Sequence, residues 1–156
     1  MPKDPNVDPF EAEITIGSRR RGLPRHVHPH QTDAFEIIEG TLDVWLYGSW
    51  RRARPSERVC VPPGAVHTVR NRGAEPVRFL NSHEPALHFP DHLEHLYRLF
   101  GEGRRRGALN PITLLDLALL VDSFPEDVRP AGRLGRAVLR TLAGLARHLD
   151  RTVFQP

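Results

Sequence analysis

Hydrophobic positions change period partway along this chain. As far as Phe89 they alternate in short segments: "FEAEITIG" (Phe10 to Gly17) and "TLDVWLYG" (Thr41 to Gly48) both alternate, the latter with Leu42, Val44 and Leu46 on one face. "ERVCVPPG", "HTVRNRG" and "VRFLNS" follow the same habit. Alternation over a few residues, punctuated by Gly, Pro and Asn, predicts half-buried strands joined by turns, and so many short strands predict a mainly β sandwich or barrel with a mouth for a ligand. Beyond Phe89 the period becomes helical. Leu93, Leu96, Tyr97 and Phe100 recur at i, i+3, i+4 and i+7, and "GEGRRRG" ends that segment. Asn110-Pro111 reads as an N-cap and a first-turn proline. The helix they open, Ile112 to about Phe124, is apolar on nearly every side and is expected to be deeply covered. A last helix, about Gly132 to Leu149, aligns Leu134, Val138, Leu142, Leu145 and Leu149. The expected organisation is a β-barrel over residues 1–89 and a three-helix extension over 90–156, packed on the barrel or at a dimer interface.

Composition narrows the chemistry. With 156 residues, 39% hydrophobic and 26% charged, the chain reads as one globular unit or a core with a modest appendage. No apolar run approaches the roughly 20 residues of a membrane-spanning helix, and "MPKDPNVDPFEAE" lacks the pattern of a signal peptide. A single cysteine, Cys60, precludes an intrachain disulfide and points to a cytoplasmic setting; between Val59 and Val61 it reads as a small buried hydrophobe. Lys3 is the only lysine, so Schiff-base chemistry has no credible residue. The arginine clusters at Ser18–Gly22, Trp50–Arg54 and Gly103–Gly107 sit beside turns without a recognition helix, and the expectation is no nucleic-acid partner and no membrane. Trp45, Tyr47 and Trp50 read as packing between sheets or subunits.

The stretch "RHVHPHQTDAFEIIEG" (Arg25 to Gly40) carries the candidate chemistry. Alternate residues of a strand share a face, so His26 and His28 can project together. Pro29 breaks regular pairing and frees His30 from the alternation. The Pro-Pro-Gly turn before His67 can return that histidine across the same cavity. Neutral imidazoles suit Zn, Fe, Ni and Cu, and a carboxylate adds the harder oxygen that also suits Mn.

These residues resemble the two motifs of cupins. The first, G-x5-H-x-H-x(3,4)-E-x6-G, is matched by His26, His28, Asp33 and Gly40, with aspartate in place of glutamate and Gly22 nearer to His26 than the pattern asks. The second, G-x5-P-x-G-x2-H-x3-N, is matched by Pro62, Gly64, His67 and Asn71, with Ser56 in place of the opening glycine. The resemblance spans about Ile14 to Pro85, and the whole chain is similar to small bacterial cupins with a helical tail. It implies a cupin (double-stranded β-helix, jelly-roll) barrel and one divalent transition metal ion (Fe, Mn, Ni, Cu or Zn) on His26, His28, Asp33 and His67. The aspartate is shorter by one bond, about 1.5 Å. It can ligate after a small backbone shift, support a ligating histidine, or act as a general base; His30 is the alternative fourth ligand, otherwise a rim residue. The implied function is a dioxygenase-like oxidoreductase acting on a small organic molecule, with Asp33 taking a substrate proton. The alternatives are a non-redox isomerase or lyase and a ligand-binding cupin without chemistry. The scarcity of lysine argues against sugar-phosphate isomerases, whose sites hold phosphate with basic residues. A homodimer is expected. Asn71 reads as a turn-fixing residue, Glu36 as facing away from the metal, and His83, His88, His92 and His95 as surface histidines.

Overall fold

A computed structural model describes residues 8–100 and 111–149. The first seven residues, the Gly101–Gly107 segment and the Asn110 cap lie outside the described residues. The chain runs through β1 (Phe10–Ile16), β2 (His26–Val27), β3 (Thr32–Glu39), β4 (Leu42–Leu46), β5 (Ser49–Ala53), β6 (Arg58–Val61), β7 (His67–Arg70) and β8 (Val77–Glu84). After these come α1 (Phe89–Phe100), α2 (Pro111–Ser123), β9 (Arg129–Pro130) and α3 (Arg133–His148). Two sheets face each other, one ordered β1-β8-β3-β6 and the other β5-β4-β7-β2-β9.

Alternation explains the strands. On β3, Asp33, Phe35 and Ile37 are buried while Glu36 and Ile38 are exposed; on β8, Val77 and Phe79 are buried while Arg78 is exposed. Phe35, Ile37, Leu42, Val44, Val59, Val61, Val77 and Phe79 fill the space between the sheets, each large side chain contributing about 1.5–3 kcal/mol by leaving water. The turn from β3 to β4 needs Gly40: its φ is +79°, and a Cβ there would lie 2.7 Å from the Pro76 carbonyl oxygen. Asn71 latches a neighbouring turn, as its place in the sequence suggests. Its amide nitrogen donates to the carbonyls of Ile16 (3.1 Å), Gly17 (3.2 Å) and Glu75 (2.8 Å), and its oxygen accepts from Gly73 N–H (2.8 Å).

Three features of the extension go beyond the sequence reading or depart from it. Arg129 and Pro130 form a strand, β9, that pairs with β2, so a segment far along the chain completes the sheet that carries His26 and His67. A two-residue strand beginning a Pro-containing turn carries too little alternation to be read from sequence. The stripe on α3 faces outward: Leu134 (79% exposed), Val138, Leu145 and Leu149 are exposed, whereas the small Ala143 and Ala146 are fully buried. Helix α2 buries Ala118, Leu119 and Leu120 but leaves Leu114 exposed. Helix α1 meets the barrel through Phe89 and Leu93, which pack with Phe10 and Ala12 of β1. Cys60 is exposed, on the outward face of β6, rather than buried. Trp45 and Trp50 are covered by the guanidinium groups of Arg25 and Arg70, at 3.8 and 3.5 Å from their rings. Among the described residues no helix is long and apolar enough to cross a membrane.

Candidate metal centre

Strand register brings distant histidines together. His26 of β2 pairs directly with His67 of β7, and Asp33 of β3 pairs with His83 of β8; directly opposed residues of antiparallel strands project to the same face. Strand β2 ends at Val27, so His28 reaches the site from the turn that follows and not by continued strand alternation. The imidazole rings of His26, His28 and His67 stand 4.3–5.3 Å apart between centroids, and their ligating atoms lie within 4.8 Å of one another. His28 and His67 are buried and His26 is half-buried.

The tautomers follow from the partners. His26 Nδ1–H donates to the Pro24 carbonyl (2.7 Å), His28 Nδ1–H to the Asp127 carbonyl (2.5 Å) and His67 Nδ1–H to the Ala65 carbonyl (3.1 Å). A neutral imidazole that donates from Nδ1 presents an unprotonated Nε2, so in this tautomer three Nε2 lone pairs converge; Asp33 Oδ2, 3.0 Å from His67 Nε2, is the alternative acceptor for the His67 proton. Such an outward bond to a carbonyl is how metal-bound histidines are oriented. Burial, with repulsion from His67 and His28, holds His26 well below the usual imidazole range; burial likewise lowers His28.

Asp33 stands beside these nitrogens, with Oδ2 at 3.0 Å from His67 Nε2 and 3.7 Å from His28 Nε2. With His67 donating from Nδ1, its Nε2 and the carboxylate oxygen are two acceptors that a cation satisfies; without an ion, a proton on Nε2 makes the hydrogen bond to Asp33. The other carboxylate oxygen accepts from Asn81 Nδ2 at 2.5 Å. Burial pushes the Asp33 carboxyl up, but His83, the hydrogen bond with His67 and nearby His28 together hold it well below the ordinary carboxylate range.

His83 is wired differently. Its Nε2–H donates to Asn81 Oδ1 (3.2 Å) and faces Asp33 Oδ1 (3.5 Å), while its buried Nδ1 has no hydrogen-bond partner. Asp33, His28 and His83 form a second compact group of potential ligands, but the Nε2 of His83 is committed as a donor. The three Nδ1-bonded histidines therefore fit an ion better, and His83 and Asn81 serve to orient Asp33. Burial lowers His83 to about 3, so its ring is neutral.

His83 and His92 correct the surface reading, each being only 1% exposed. His83 had a legible signal: Val77 and Phe79 point inward, and the same parity continues through Asn81 to His83. His92 falls on the stripe of α1 that includes Phe89 and Leu93, where its ring lies 5.7 Å from that of Phe89 and 5.6 Å from that of Phe124. His88 is exposed at its side chain and His95 is half-buried. His30 turns to the rim, its Nε2 lying 2.7 Å from Glu126. Glu36 is exposed beside Arg58. No signal in the sequence pointed to Asp127.

A family model described as "Cupin domain" matches residues 13–83, a span that contains His26, His28, Asp33, His67 and His83. Comparison with curated proteins finds no match. Among solved structures, an uncharacterized conserved protein with a double-stranded beta-helix domain from Klebsiella pneumoniae is similar at 25% identity and TM-score 0.48, over 51% of this chain and 70% of that one. The cupin domain of Cnp3 from Schizosaccharomyces pombe shares 21% identity at TM-score 0.48, over 63% of this chain and 67% of that one. A sugar phosphate isomerase of the cupin superfamily from Silicibacter pomeroyi shares 20% identity at TM-score 0.47, over 50% of this chain and 51% of that one. The two facing sheets and the paired histidine strands agree with the family match, which identifies residues 13–83 as a cupin domain.

Proposed function

We propose that the chain is a metal-dependent enzyme in which Nε2 of His26, His28 and His67 and a carboxylate oxygen of Asp33 hold one divalent transition ion, and that it acts on a small organic molecule in the barrel. The convergence of three Nε2 lone pairs, each set by an Nδ1–H bond to a carbonyl, carries this reading. A bound ion supplies Lewis acidity, and redox chemistry of the dioxygenase kind if it is Fe, Mn, Ni or Cu. The side chains supply the rest. Asn81 fixes the Asp33 carboxylate, which stays ionised and can accept a substrate proton. The neutral His83 ring keeps that carboxylate oriented, and Phe89, stacked on His83, shields the site from water. The exposed apolar side of α3 supports self-association into a homodimer, which light scattering on the purified chain tests.

Reconstitution with Fe, Mn, Ni, Cu or Zn, followed by oxygen-uptake and product assays on a panel of small organic acids, phenols and sugars, separates the branches. Metal-dependent oxygen uptake supports the dioxygenase-like enzyme. Turnover without oxygen use moves the assignment to an isomerase or lyase, and binding without turnover to a ligand-binding cupin.

A further inference from the structure

Of the three histidines, two find their Nδ1 acceptor locally: Pro24 for His26 and Ala65 for His67, each two residues away. His28 does not. Its acceptor is the carbonyl of Asp127, 99 residues along the chain, in the segment between α2 and β9. The backbone of His28 is fixed by the barrel itself, since its carbonyl accepts from Gly64 N–H at 2.8 Å. The orientation of the ring, and hence its tautomer, depends on the extension.

Asp127 is suited to that role. It is fully buried. Its N–H donates to the Phe124 carbonyl at the end of α2 (3.1 Å), and its Oδ1 accepts the N–H of His88 at the start of α1 (3.1 Å). One residue thus ties α2, α1 and His28 together. The same segment is sewn to the barrel elsewhere: His30 pairs with Glu126, Val27 and His26 pair with Arg129 and Pro130, and Ala131 N–H donates to the Arg25 carbonyl (3.0 Å). Without the Asp127 carbonyl, the His28 ring is left with the Gln31 side chain and with Asp33 Oδ2, 3.7 Å from Nε2. A carboxylate favours the tautomer with the proton on Nε2, and an imidazole protonated there cannot ligate through that atom.

We propose that the segment from Pro125 to Ala131 is a strap that belongs to the metal centre, with Asp127 as its positioning residue, so that metal binding and the order of the helical extension are coupled. The proposal rests on the reading of His26, His28 and His67 as metal ligands. Coupling is reciprocal: whatever orders the strap tightens metal binding, and metal binding orders the strap by the same factor. The barrel and its extension are then one thermodynamic unit at this point.

The test uses the full chain, with Zn²⁺ affinity measured by chelator competition for the parent, Asp127→Ala and Asp127→Asn. Asp127→Ala keeps the backbone carbonyl but removes the carboxylate that ties the segment to His88 N–H; with that anchor gone the carbonyl is displaced from His28, and binding is expected to be about 10–100-fold weaker, whereas Asp127→Asn, whose amide oxygen can still accept from His88 N–H, stays within about threefold of the parent. Nitrogen-15 shifts of the His28 ring in the metal-free proteins should show the Nδ1–H tautomer in the parent and in Asp127→Asn, and a shift toward Nε2–H in Asp127→Ala. Hydrogen exchange of the parent with and without Zn²⁺ gives a readout independent of how Asp127→Ala folds: the Val128 and Ala131 amides slow by at least about tenfold while β5 is unchanged. Equal Zn²⁺ affinity in the parent and Asp127→Ala, or slowing confined to the barrel, overturns the strap while leaving the metal site standing. A parent that takes up no Zn²⁺ overturns the metal reading and the strap with it.

Discussion

His92 gives a quantitative test of how the barrel and α1 are packed. Its ring is 1% exposed and its Nδ1 has no partner. Burial, with His28 and His95 nearby, lowers it from 6.5 to about 4. An imidazole whose folded pKa is depressed is protonated more readily in the unfolded chain, so its contribution to stability is fully present above 6.5 and is lost as the pH falls toward 4. Between about pH 7.5 and about pH 4.5 this single group removes roughly 2.5 kcal/mol of folding stability. His92→Leu keeps an apolar group between Phe89 and Phe124 and removes both the titration and the unsatisfied nitrogen. Urea unfolding in the presence of chelator, at both pH values, reads the difference. The parent should lose roughly 2.5 kcal/mol more than the variant on acidification, and the variant should be at least as stable as the parent near neutrality. His83 and the other lowered histidines titrate in both proteins and cancel. Equal losses in parent and variant would refute a buried, neutral His92.

Three further outcomes follow from the geometry. Gly40→Ala places a Cβ 2.7 Å from the Pro76 carbonyl at a φ of +79°, and thermal unfolding should show destabilisation of at least about 1–2 kcal/mol. His30→Ala removes an exposed pair with Glu126; because such pairs contribute about 1 kcal/mol or less, the midpoint of unfolding should move little and metal content not at all. Cys60, exposed on β6, should react with an aromatic disulfide reagent in the native protein at close to the rate found in urea.

Much of this molecule is written in local periodicity. The alternation through Phe35 and Ile37, the change to helical spacing after Phe89 and the two spaced motifs are local, and they led to the strands, the three helices and the neighbourhood of His26, His28, Asp33 and His67. What could not be read depends on pairings across long separations. The Asp127 carbonyl that holds His28 is a backbone atom, indifferent to side-chain type, so no pattern marks it. The α3 stripe shows why periodicity fixes a face but not its direction: Leu134, Val138, Leu145 and Leu149 do share a side, yet the close approach of α2 to α3 selects the opposite side, where Ala143 and Ala146 are small enough to pack. His83 and His92 were legible in principle, since each continues a parity or stripe set by buried apolar neighbours. Cys60 fell to the opposite error, because its flanking valines point inward while it points out.

Everything proposed for this site depends on three converging histidine nitrogens holding a metal ion. Elemental analysis of the chain purified without a histidine tag or chelator, beside His67→Ala, tests it most directly. Close to one transition metal per parent chain is expected, with loss of most of it in the variant, because removing His67 takes away a ligand and the neighbour of Asp33. A parent that carries no metal, and takes up none on titration with Fe, Mn, Ni, Cu or Zn, would contradict it.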